Sequence, residues 1–295
     1  AQNCAVSMKR TLLELGGNAA NIILPETDLQ AHLTNTLEGI LCNSGQNCVA
    51  ATRILVHHDQ IHEAELFIVN TFSNTCKAEF ISKLTKDGRK VVNAETKTDP
   101  SNPVLEYGPL VNKKQYDHVR ALVNSAYAEG AKLLLGNASD VESPKPEDAS
   151  FNNNDLFFTP TVLTNVNPNM KIAKEEIFGP VALIIAYRTI EEAVQIANGT
   201  EYGLSNIITC NDARVPDAMA IARRLDSGIV TINSSHPDLN APFGGMKQSG
   251  IGREGGRKAL LEFTQPKSIT VENEETFSEK ALKEAKRIIG MDLSF

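Results

Sequence analysis

Three kinds of feature are missing from this 295-residue chain, and each absence excludes a class of protein. No apolar run approaches the roughly 20 residues that cross a bilayer, so we expect no membrane partner. Positive charge is not in excess: the formal net charge is −7, which predicts no nucleic-acid partner. The five cysteines form no CxxC pair and no Cys/His cluster with zinc spacing, which predicts free thiols, a reducing compartment and no metal.

The chain does contain a regular alternation of apolar runs and amphipathic stretches. The apolar runs predict strands over Asn21–Leu24, Arg53–Val56, Lys132–Leu135, Phe157–Leu163, Val181–Tyr187, Ser205–Cys210 and Gly228–Asn233. Helical spacing predicts helices over Leu29–Leu41 with Asp28 as N-cap, Glu63–Phe80, Lys113–Glu129, Ile190–Asn198 and Val215–Asp226. This order predicts an α/β fold with a mostly parallel sheet flanked by helices.

The remaining stretches differ in composition from these elements. Lys97–Pro103 and Asn137–Asp155 are predicted to be long loops, the second because it is polar and poor in apolar residues. Lys267–Val271 is predicted to be an exposed strand that could pair with a partner's sheet. Phe277–Ile289 has the spacing of an amphipathic helix.

Cys48 is the first candidate for chemistry. It follows the helix-breaking segment Asn43–Asn47 and precedes an apolar run, so its sulfur could lie exposed beside a free backbone N–H that serves an oxyanion. A nucleophilic thiol needs exposure and a pKa below the usual value of about 8.5. The other interpretation is a buried structural thiol, the commoner role of a lone cysteine. We predict that role for Cys42, in the apolar stripe of the preceding helix.

Glu14 is the second candidate, within the segment Leu12-Leu-Glu-Leu-Gly-Gly17. A glutamate between leucines that leads into a glycine turn is unusual for a strand end. One interpretation is a surface carboxylate on an alternating strand. The other is a partly desolvated carboxylate, whose raised pKa suits a general base. Physical reasoning on either motif alone leaves both interpretations open.

Two further patterns are predicted to have no catalytic role. His57, His58 and His62 lie near a predicted turn, and we interpret them as surface histidines rather than metal ligands. The glycine-rich stretch Gly244–Gly256 lacks the Walker lysine and the GxGxxG spacing of a phosphate loop. Its glycines favour a tight backbone path between domains.

Four ordered segments together resemble the aldehyde dehydrogenase superfamily, and the likeness runs from about Ser7 to Val271. Leu13-Glu-Leu-Gly-Gly17 is similar to the family's glutamate signature and Gly45-Gln-Asn-Cys48 to its cysteine signature. Lys174-Glu-Glu-Ile-Phe-Gly-Pro180 resembles the EEIFGP segment. The stretch from Ala241 to Glu254, APFGGMKQSGIGRE, resembles the PFGG…SGxGRE segment.

The resemblance implies oxidation of an aldehyde to a carboxylic acid with NAD or NADP as cofactor. Cys48 would form a thiohemiacetal and then a thioester, and Glu14 would activate the water that hydrolyses it. Glu176 would bind the hydroxyls of the nicotinamide ribose, and Phe178 would pack beside the nicotinamide. Four residues are weaker candidates for the substrate pocket, with packing roles equally open: Asn47, Val49, Asn233 and Phe243.

The same resemblance implies a domain organisation. Residues 1–16 would be the remnant of a cofactor-binding domain that family members carry upstream, 17–248 the catalytic domain, and 249–295 a return to the cofactor domain, an oligomerisation strand and a tail helix. A homodimer or homotetramer in the cytoplasm is expected, with a mitochondrial location left open. The alternatives are a cofactor-free thiol esterase and an inactive oligomerisation subunit.

Overall fold

The computed structural model describes residues 1–72, 90–92, 105–136, 156–234, 237–268, 270 and 287. The chain divides into two compact units, Ala1–Glu262 and Phe263–Phe295. The predicted loops Lys97–Pro103 and Asn137–Asp155 lie outside the described residues, as does the predicted tail helix apart from position 287. Of the predicted strand at 267–271, the described positions 267, 268 and 270 are exposed and lie in no strand.

The described residues contain thirteen strands, numbered here in chain order. They are β1 (Leu13–Glu14), β2 (Ala20–Ile23), β3 (Arg53–His57), β4 (Lys90–Val92), β5 (Leu105–Tyr107), β6 (Lys132–Leu135), β7 (Thr161–Thr164), β8 (Val181–Tyr187), β9 (Tyr202–Gly203), β10 (Ser205–Thr209), β11 (Ile229–Ile232), β12 (Met246–Lys247) and β13 (Gly250–Ile251). Three antiparallel pairs, β1 with β13, β9 with β12 and β4 with β5, stand apart from the main sheet.

The main sheet has seven strands in the order β11-β10-β2-β3-β8-β7-β6. Every neighbouring pair is parallel except β6 with β7 at one edge. The predicted mostly parallel sheet is therefore confirmed. Its central strands are buried on both faces, and this explains why they read as continuous apolar runs.

Successive side chains of each strand point to opposite faces of the sheet, so the hydrophobic core divides into two clusters. In β2, Ile22 belongs to one cluster and Ile23 to the other; in β8, Leu183 and Ile184 divide in the same way. The helices at 113–128, 190–198 and 215–222 cover the first face, and those at 29–41 and 61–72 cover the second. The sheet thus lies between two layers of helices, as predicted for an α/β fold.

Eight helices occur in the described residues, and no helix there has both the length and the apolar character that a bilayer span requires. Asp28 begins the second helix as predicted, since its carboxylate accepts hydrogen bonds from the backbone N–H groups of Gln30 and Ala31. The helices are Gln2–Ala5, Leu29–Leu41, Ile61–Phe72, Lys113–Ala128, Lys171–Lys174, Ile190–Asn198, Val215–Ala222 and Ala259–Glu262.

Several predicted boundaries were wrong. The strand predicted from Phe157 begins only at Thr161, because Pro160 has no N–H for the ladder. The helix predicted to reach Asp226 ends at Ala222. There the N–H groups of Arg224 and Leu225 bond three residues back, which tightens the chain into a turn.

Three smaller differences complete the comparison with the predicted elements. The predicted strand Gly228–Asn233 is shorter, Ile229–Ile232, and the helix predicted over 63–80 begins at Ile61, with everything beyond Phe72 outside the described residues. Cys42, predicted to be buried, is exposed. The helix ends at Leu41, and the extended ψ of 133° at Cys42 takes that side chain off the apolar stripe.

Candidate active site

The loop that presents Cys48 begins with a left-handed turn. Asn43, Ser44 and Gly45 have φ values of 52°, 58° and 70°, and three such residues in a row stop the helix that precedes them. Glycine is required at position 45, since a Cβ there would lie 1.9 Å from the carbonyl oxygen of Gly179. The helix-breaking role predicted for this segment is confirmed, and the loop packs directly on the segment that carries Glu176.

Side chains of the same loop anchor it to residues 108–111. The Ser44 hydroxyl donates to the Gly108 carbonyl at 2.7 Å and accepts from the Gly108 N–H at 2.9 Å. The Gln46 amide oxygen accepts from the Val111 N–H at 2.8 Å. These bonds hold the backbone on one side of Cys48, so the thiol is presented by a fixed turn rather than by a free loop.

Cys48 itself is half-buried, and its pKa is raised above the ordinary value. Burial is the main cause, and the negative charge of Glu176 and, to a smaller degree, of Glu14 adds to it. The backbone N–H groups of Cys48 and Val49 oppose the rise because they stabilise a thiolate. A nucleophilic thiol needs a lowered pKa, whereas here burial first, and then the two carboxylates, outweigh the backbone donors and raise it.

Glu14 lies in β1, opposite Gly250 of β13. Both of its carboxylate oxygens are shielded from solvent and have no hydrogen-bond partner among the described residues. Its pKa is raised, first by burial and then by Glu254, while Arg253 lowers it. A buried carboxylate without partners favours the protonated form, so Glu14 has the electrostatics of a proton-transfer group rather than of a surface carboxylate.

Glu176 is held against the glycine turn that follows β1. Its Oε1 accepts the N–H of Gly17 at 2.9 Å, and a Cβ on Gly16 would lie 2.2 Å from its Oε2. Its pKa is raised by burial and lowered by the Gly17 N–H and by His118, whose ring nitrogen Nε2 lies 3.0 Å from the Glu176 carbonyl oxygen. The carboxylate therefore supports the turn and retains acceptor capacity for another donor.

Gly17 brings the separate segments together. A Cβ at this position would come within 2.2 Å of the Cys48 carbonyl oxygen, so only glycine permits the contact. The same residue donates to Glu176, and Glu14 lies three residues earlier. One short stretch of chain thus contacts the thiol loop and the EEIFGP-like segment, and it draws Cys48, Glu14 and Glu176 into one cluster.

Phe178 is the second residue assigned to cofactor binding by resemblance. It has a φ of 51°, which costs an ordinary residue about 1–2 kcal/mol. The Gln115 amide donates to the carbonyls of Ile177 and Phe178 at 3.0 and 2.9 Å and holds this conformation. A strained conformation that its neighbours maintain is typical of functional segments.

A cavity of about 480 Å³ adjoins the thiol loop and brings together three of the four weaker substrate-pocket candidates, Asn47, Val49 and Asn233. Phe243 is not part of its lining. Instead, Phe243 pairs with Glu254 through two backbone hydrogen bonds and precedes Gly244, where a Cβ would lie 2.8 Å from the Glu14 Oε1. The four candidates therefore divide between the cavity and the Glu14 side of the site.

Sequence reasoning missed two buried residues, Arg53 and Asn18, whose hydrogen bonds support the segments around this cluster. Arg53 is 2% exposed and donates to the carbonyls of Asn18, Ile196 and Ala197 at distances of 2.6 to 3.1 Å. Burial lowers its pKa to about 10. The Asn18 amide in turn donates to the carbonyls of Ala173 and Glu175 at 3.2 Å. A cation at the start of an apolar strand was the signal that could have revealed this network.

The sequence profile of the aldehyde dehydrogenase family matches residues 1–269. The chain belongs to the aldehyde dehydrogenase family. Human retinal dehydrogenase 2 is 36% identical over 268 residues, which are 90% of this chain and 45% of that protein. The chain spans about half the length of the curated relatives it matches.

Solved structures of family members share the fold. An aldehyde dehydrogenase from Mycobacterium tuberculosis complexed with NAD+ has a TM-score of 0.71 at 35% identity, over 92% of this chain and 51% of that chain. An aldehyde dehydrogenase C mutant from Pseudomonas syringae, complexed with NAD+ and octanal, has a TM-score of 0.70 at 32% identity, over 89% of this chain and 48% of that chain. The predicted superfamily and its catalytic-domain fold are thereby confirmed.

Proposed function

We propose that this chain carries the nucleophile and the general base of an NAD(P)-dependent aldehyde dehydrogenase, which oxidises an aldehyde to a carboxylic acid. The observation that carries the proposal is that Gly17, three residues after Glu14, lies against the Cys48 carbonyl, which brings the segments of the thiol and the carboxylate together. The charge of Glu14 accordingly acts on the thiol, in addition to burial and the charge of Glu176. The NAD+ complexes of family members at 32–35% identity support the choice of cofactor.

In the first step, the Cys48 sulfur attacks the aldehyde carbon and the carbonyl oxygen becomes negative. The Cys48 backbone N–H is the donor that we assign to that oxygen, because the Val49 N–H already donates to the Asn47 side chain at 3.2 Å. The raised thiol pKa means that the sulfur must lose its proton as it attacks. Glu14 is the nearby acceptor for that proton.

Glu176 and Phe178 are the residues that would hold the dinucleotide. Glu176 fits a ribose because its bond to Gly17 leaves a carboxylate able to accept further hydrogen bonds. When bound, NAD(P)+ supplies the hydride acceptor of the oxidation and a positively charged ring. That charge would offset the two carboxylates that now disfavour the thiolate.

The last step is hydrolysis of the Cys48 thioester. A water molecule must lose a proton as it attacks, and the partnerless Glu14 oxygens are ready to accept it. A raised pKa makes Glu14 a stronger base than a surface glutamate. The same carboxylate would therefore serve both ends of the reaction cycle, once it has released to solvent the proton that it took from the thiol.

The test is NAD(P)H formation with a panel of aldehydes, measured for this chain alone and for the chain with whatever segment its gene encodes before Ala1. Cys48→Ser abolishes the activity, while Cys4→Ser retains it because Cys4 lies in the first helix and lines neither the cavity nor the cluster. A well-folded protein with its upstream segment that forms no NAD(P)H with any aldehyde would overturn the proposal.

The cofactor-free thiol esterase is the second candidate, because neither Cys48 nor Glu14 needs a dinucleotide to cleave an activated ester. Nitrophenyl ester turnover without NAD(P) tests it. Loss of turnover in Cys48→Ser, with Cys4→Ser unaffected, supports this activity. Equal turnover in wild type and Cys48→Ser rules it out.

Assembly is a separate proposal. We retain a homodimer or homotetramer as the expected state and a small-molecule aldehyde as the partner in solution. The exposed positions 267, 268 and 270 leave this part of the chain accessible to a second copy. Light scattering that shows a monomer at all concentrations would contradict the oligomer and with it the inactive-subunit alternative.

A further inference from the structure

We propose that His57, His58 and Asp59 form a site for a divalent transition metal, with Zn²⁺ as the best match. Two imidazoles and a carboxylate each offer one ligand atom, and these atoms all lie within 4.8 Å of one another. Imidazole nitrogen with carboxylate oxygen is a ligand set that zinc takes in proteins. Three protein ligands would leave one tetrahedral position for water.

His57 is the ligand whose ring the fold already holds in a suitable protonation state and orientation. Its Nε2 lies 3.1 Å from the backbone carbonyl oxygen of Arg188. A carbonyl can only accept, so this bond places the ring proton on Nε2 and leaves the lone pair on Nδ1. A ligand histidine in metalloproteins has the same arrangement, one nitrogen on the metal and the other donating to a carbonyl or carboxylate.

The ring of His57 is also held in place by an aromatic contact. It packs edge-on against Tyr187 with ring centroids 5.5 Å apart, and Tyr187 is fully buried. The Tyr187 hydroxyl donates to the Ile23 carbonyl at 2.6 Å, which ties this aromatic support to the neighbouring strand β2. His57 would therefore pay little conformational entropy on metal binding.

Asp59 and His58 complete the set from the turn that follows β3. The His57 Nδ1 lies 3.5 Å from Asp59 Oδ2, and the His58 Nε2 lies 3.0 Å from Asp59 Oδ1. Tetrahedral zinc with bonds of about 2.0–2.1 Å separates its ligand atoms by about 3.4 Å. Each imidazole nitrogen already lies near that distance from one Asp59 oxygen, while the three ligand atoms as a set, within 4.8 Å of one another, would draw together on binding. His58 must carry its proton on Nδ1, or release one, when its Nε2 binds the metal.

This site is separate from the thiol–carboxylate cluster. Cys48 precedes β3 and His57 ends it, and five strand residues span roughly 13 Å. The metal would therefore act on structure: it would join the rigid end of β3 to the turn that starts helix Ile61–Phe72. It would take no part in the oxidation, so its test is independent of the proposed function.

The test is Zn²⁺ binding by the full chain, measured by competition with a chromophoric chelator, in wild type, His58→Ala, Asp59→Asn and His62→Ala. His62 is the matched control, an exposed histidine outside the cluster. Wild type and His62→Ala bind one equivalent, and the other two variants bind at least about tenfold more weakly. Zn²⁺ also raises the Tm of wild type and of His62→Ala but not of His58→Ala.

Three results would overturn the proposal. The first is the absence of saturable Zn²⁺ binding by wild type, and the second is equal binding by His58→Ala and His62→Ala. The third comes from Co²⁺ as a spectroscopic substitute: a thiolate-to-metal charge-transfer band would show that a cysteine holds the ion. A tetrahedral Co²⁺ spectrum without that band, lost in His58→Ala, supports the site. His58 and Asp59 are exposed, so their variants are expected to fold.

Discussion

Glu14 and Arg53 are both removed from solvent, yet the fold treats their charges in opposite ways. The Arg53 guanidinium is surrounded by the carbonyls of Asn18, Ile196 and Ala197. The Glu14 oxygens have no hydrogen-bond partner among the described residues. A buried charge with full partners stabilises a structure, whereas one without partners is destabilising and is kept where its proton affinity is useful. The comparison separates a charge held for structure from one that we propose acts in proton transfer.

The largest expected effect is on catalysis at Glu14. Glu14→Gln keeps the shape of the side chain and removes the base, so ester or thioester hydrolysis at Cys48 should fall by about 10²- to 10⁴-fold. The measurement is steady-state turnover of a nitrophenyl ester. Glu63→Gln, an exposed carboxylate on helix Ile61–Phe72, is the control and should change nothing. A Glu14→Gln protein with nearly full turnover would remove Glu14 from the mechanism.

The next effect is on stability at Arg53. Arg53→Met removes a donor from three carbonyls, and that of Ile196 keeps the N–H of Gly199. At about 1 kcal/mol or more for each hydrogen-bonded carbonyl, the free energy of unfolding should fall by about 3 kcal/mol. Urea denaturation measures the change. Arg223→Met, at an exposed arginine, should stay within about 0.5 kcal/mol of wild type. Equal losses in the two variants would mean that the carbonyl shell around Arg53 contributes nothing.

A smaller effect is expected at Cys48. The negative charge of Glu176 raises the pKa of the thiol, so Glu176→Gln should lower that pKa while its amide oxygen still accepts from Gly17. Alkylation of Cys48 by iodoacetamide at neutral pH, followed by peptide mass spectrometry, should then become up to about tenfold faster. Glu63→Gln again serves as control. An unchanged or slower rate would contradict the electrostatic account of the cluster.

The smallest expected effect concerns how the free energy of unfolding changes with pH. The pKa of Glu14 is raised in the folded state, mainly by burial. The folded chain then holds this proton more tightly than the unfolded chain, so the stabilising contribution is fullest at low pH and is lost as pH rises through the folded-state pKa. Glu14→Gln removes this dependence. The free energy of unfolding of the variant, compared with that of wild type at the same pH, should therefore be more favourable at neutral pH than at acid pH. Parallel stability curves for the two proteins would show that Glu14 is not desolvated.

Elements with strong periodicity were predictable, and irregular ones were not. The buried strand β8 was predicted residue for residue, because a strand covered on both faces is apolar throughout. The strand after Pro160 began late, and Cys42 turned outward, because a single backbone rotation at an element's end decides where a side chain lies. Such rotations depend on contacts from residues far along the chain.

The candidate site also has features that the sequence predicted and features that it did not. Cys48 and Glu14 could be named as candidates only because their segments, with the glycines beside them, resemble the family's signatures; the residue types alone left a structural role open for each. The direction of the thiol pKa could not be predicted, since the charge that raises it most after burial comes from Glu176, more than a hundred residues later. Electrostatic effects follow distance in space and not distance along the chain.

The sequence by itself determined the chain order of the main-sheet strands and of the longer helices and the faces they bury, because periodicity is a local property, and its resemblance to the family named the candidate reactive residues. Only the tertiary structure decided which polar groups face one another. It placed the two carboxylates near Cys48 and the carbonyls around Arg53, and it set the Nε2 proton of His57 on the Arg188 carbonyl, which leaves Nδ1 without a proton. These are long-range contacts, and their energies arise only when packing removes water from groups that the chain holds far apart.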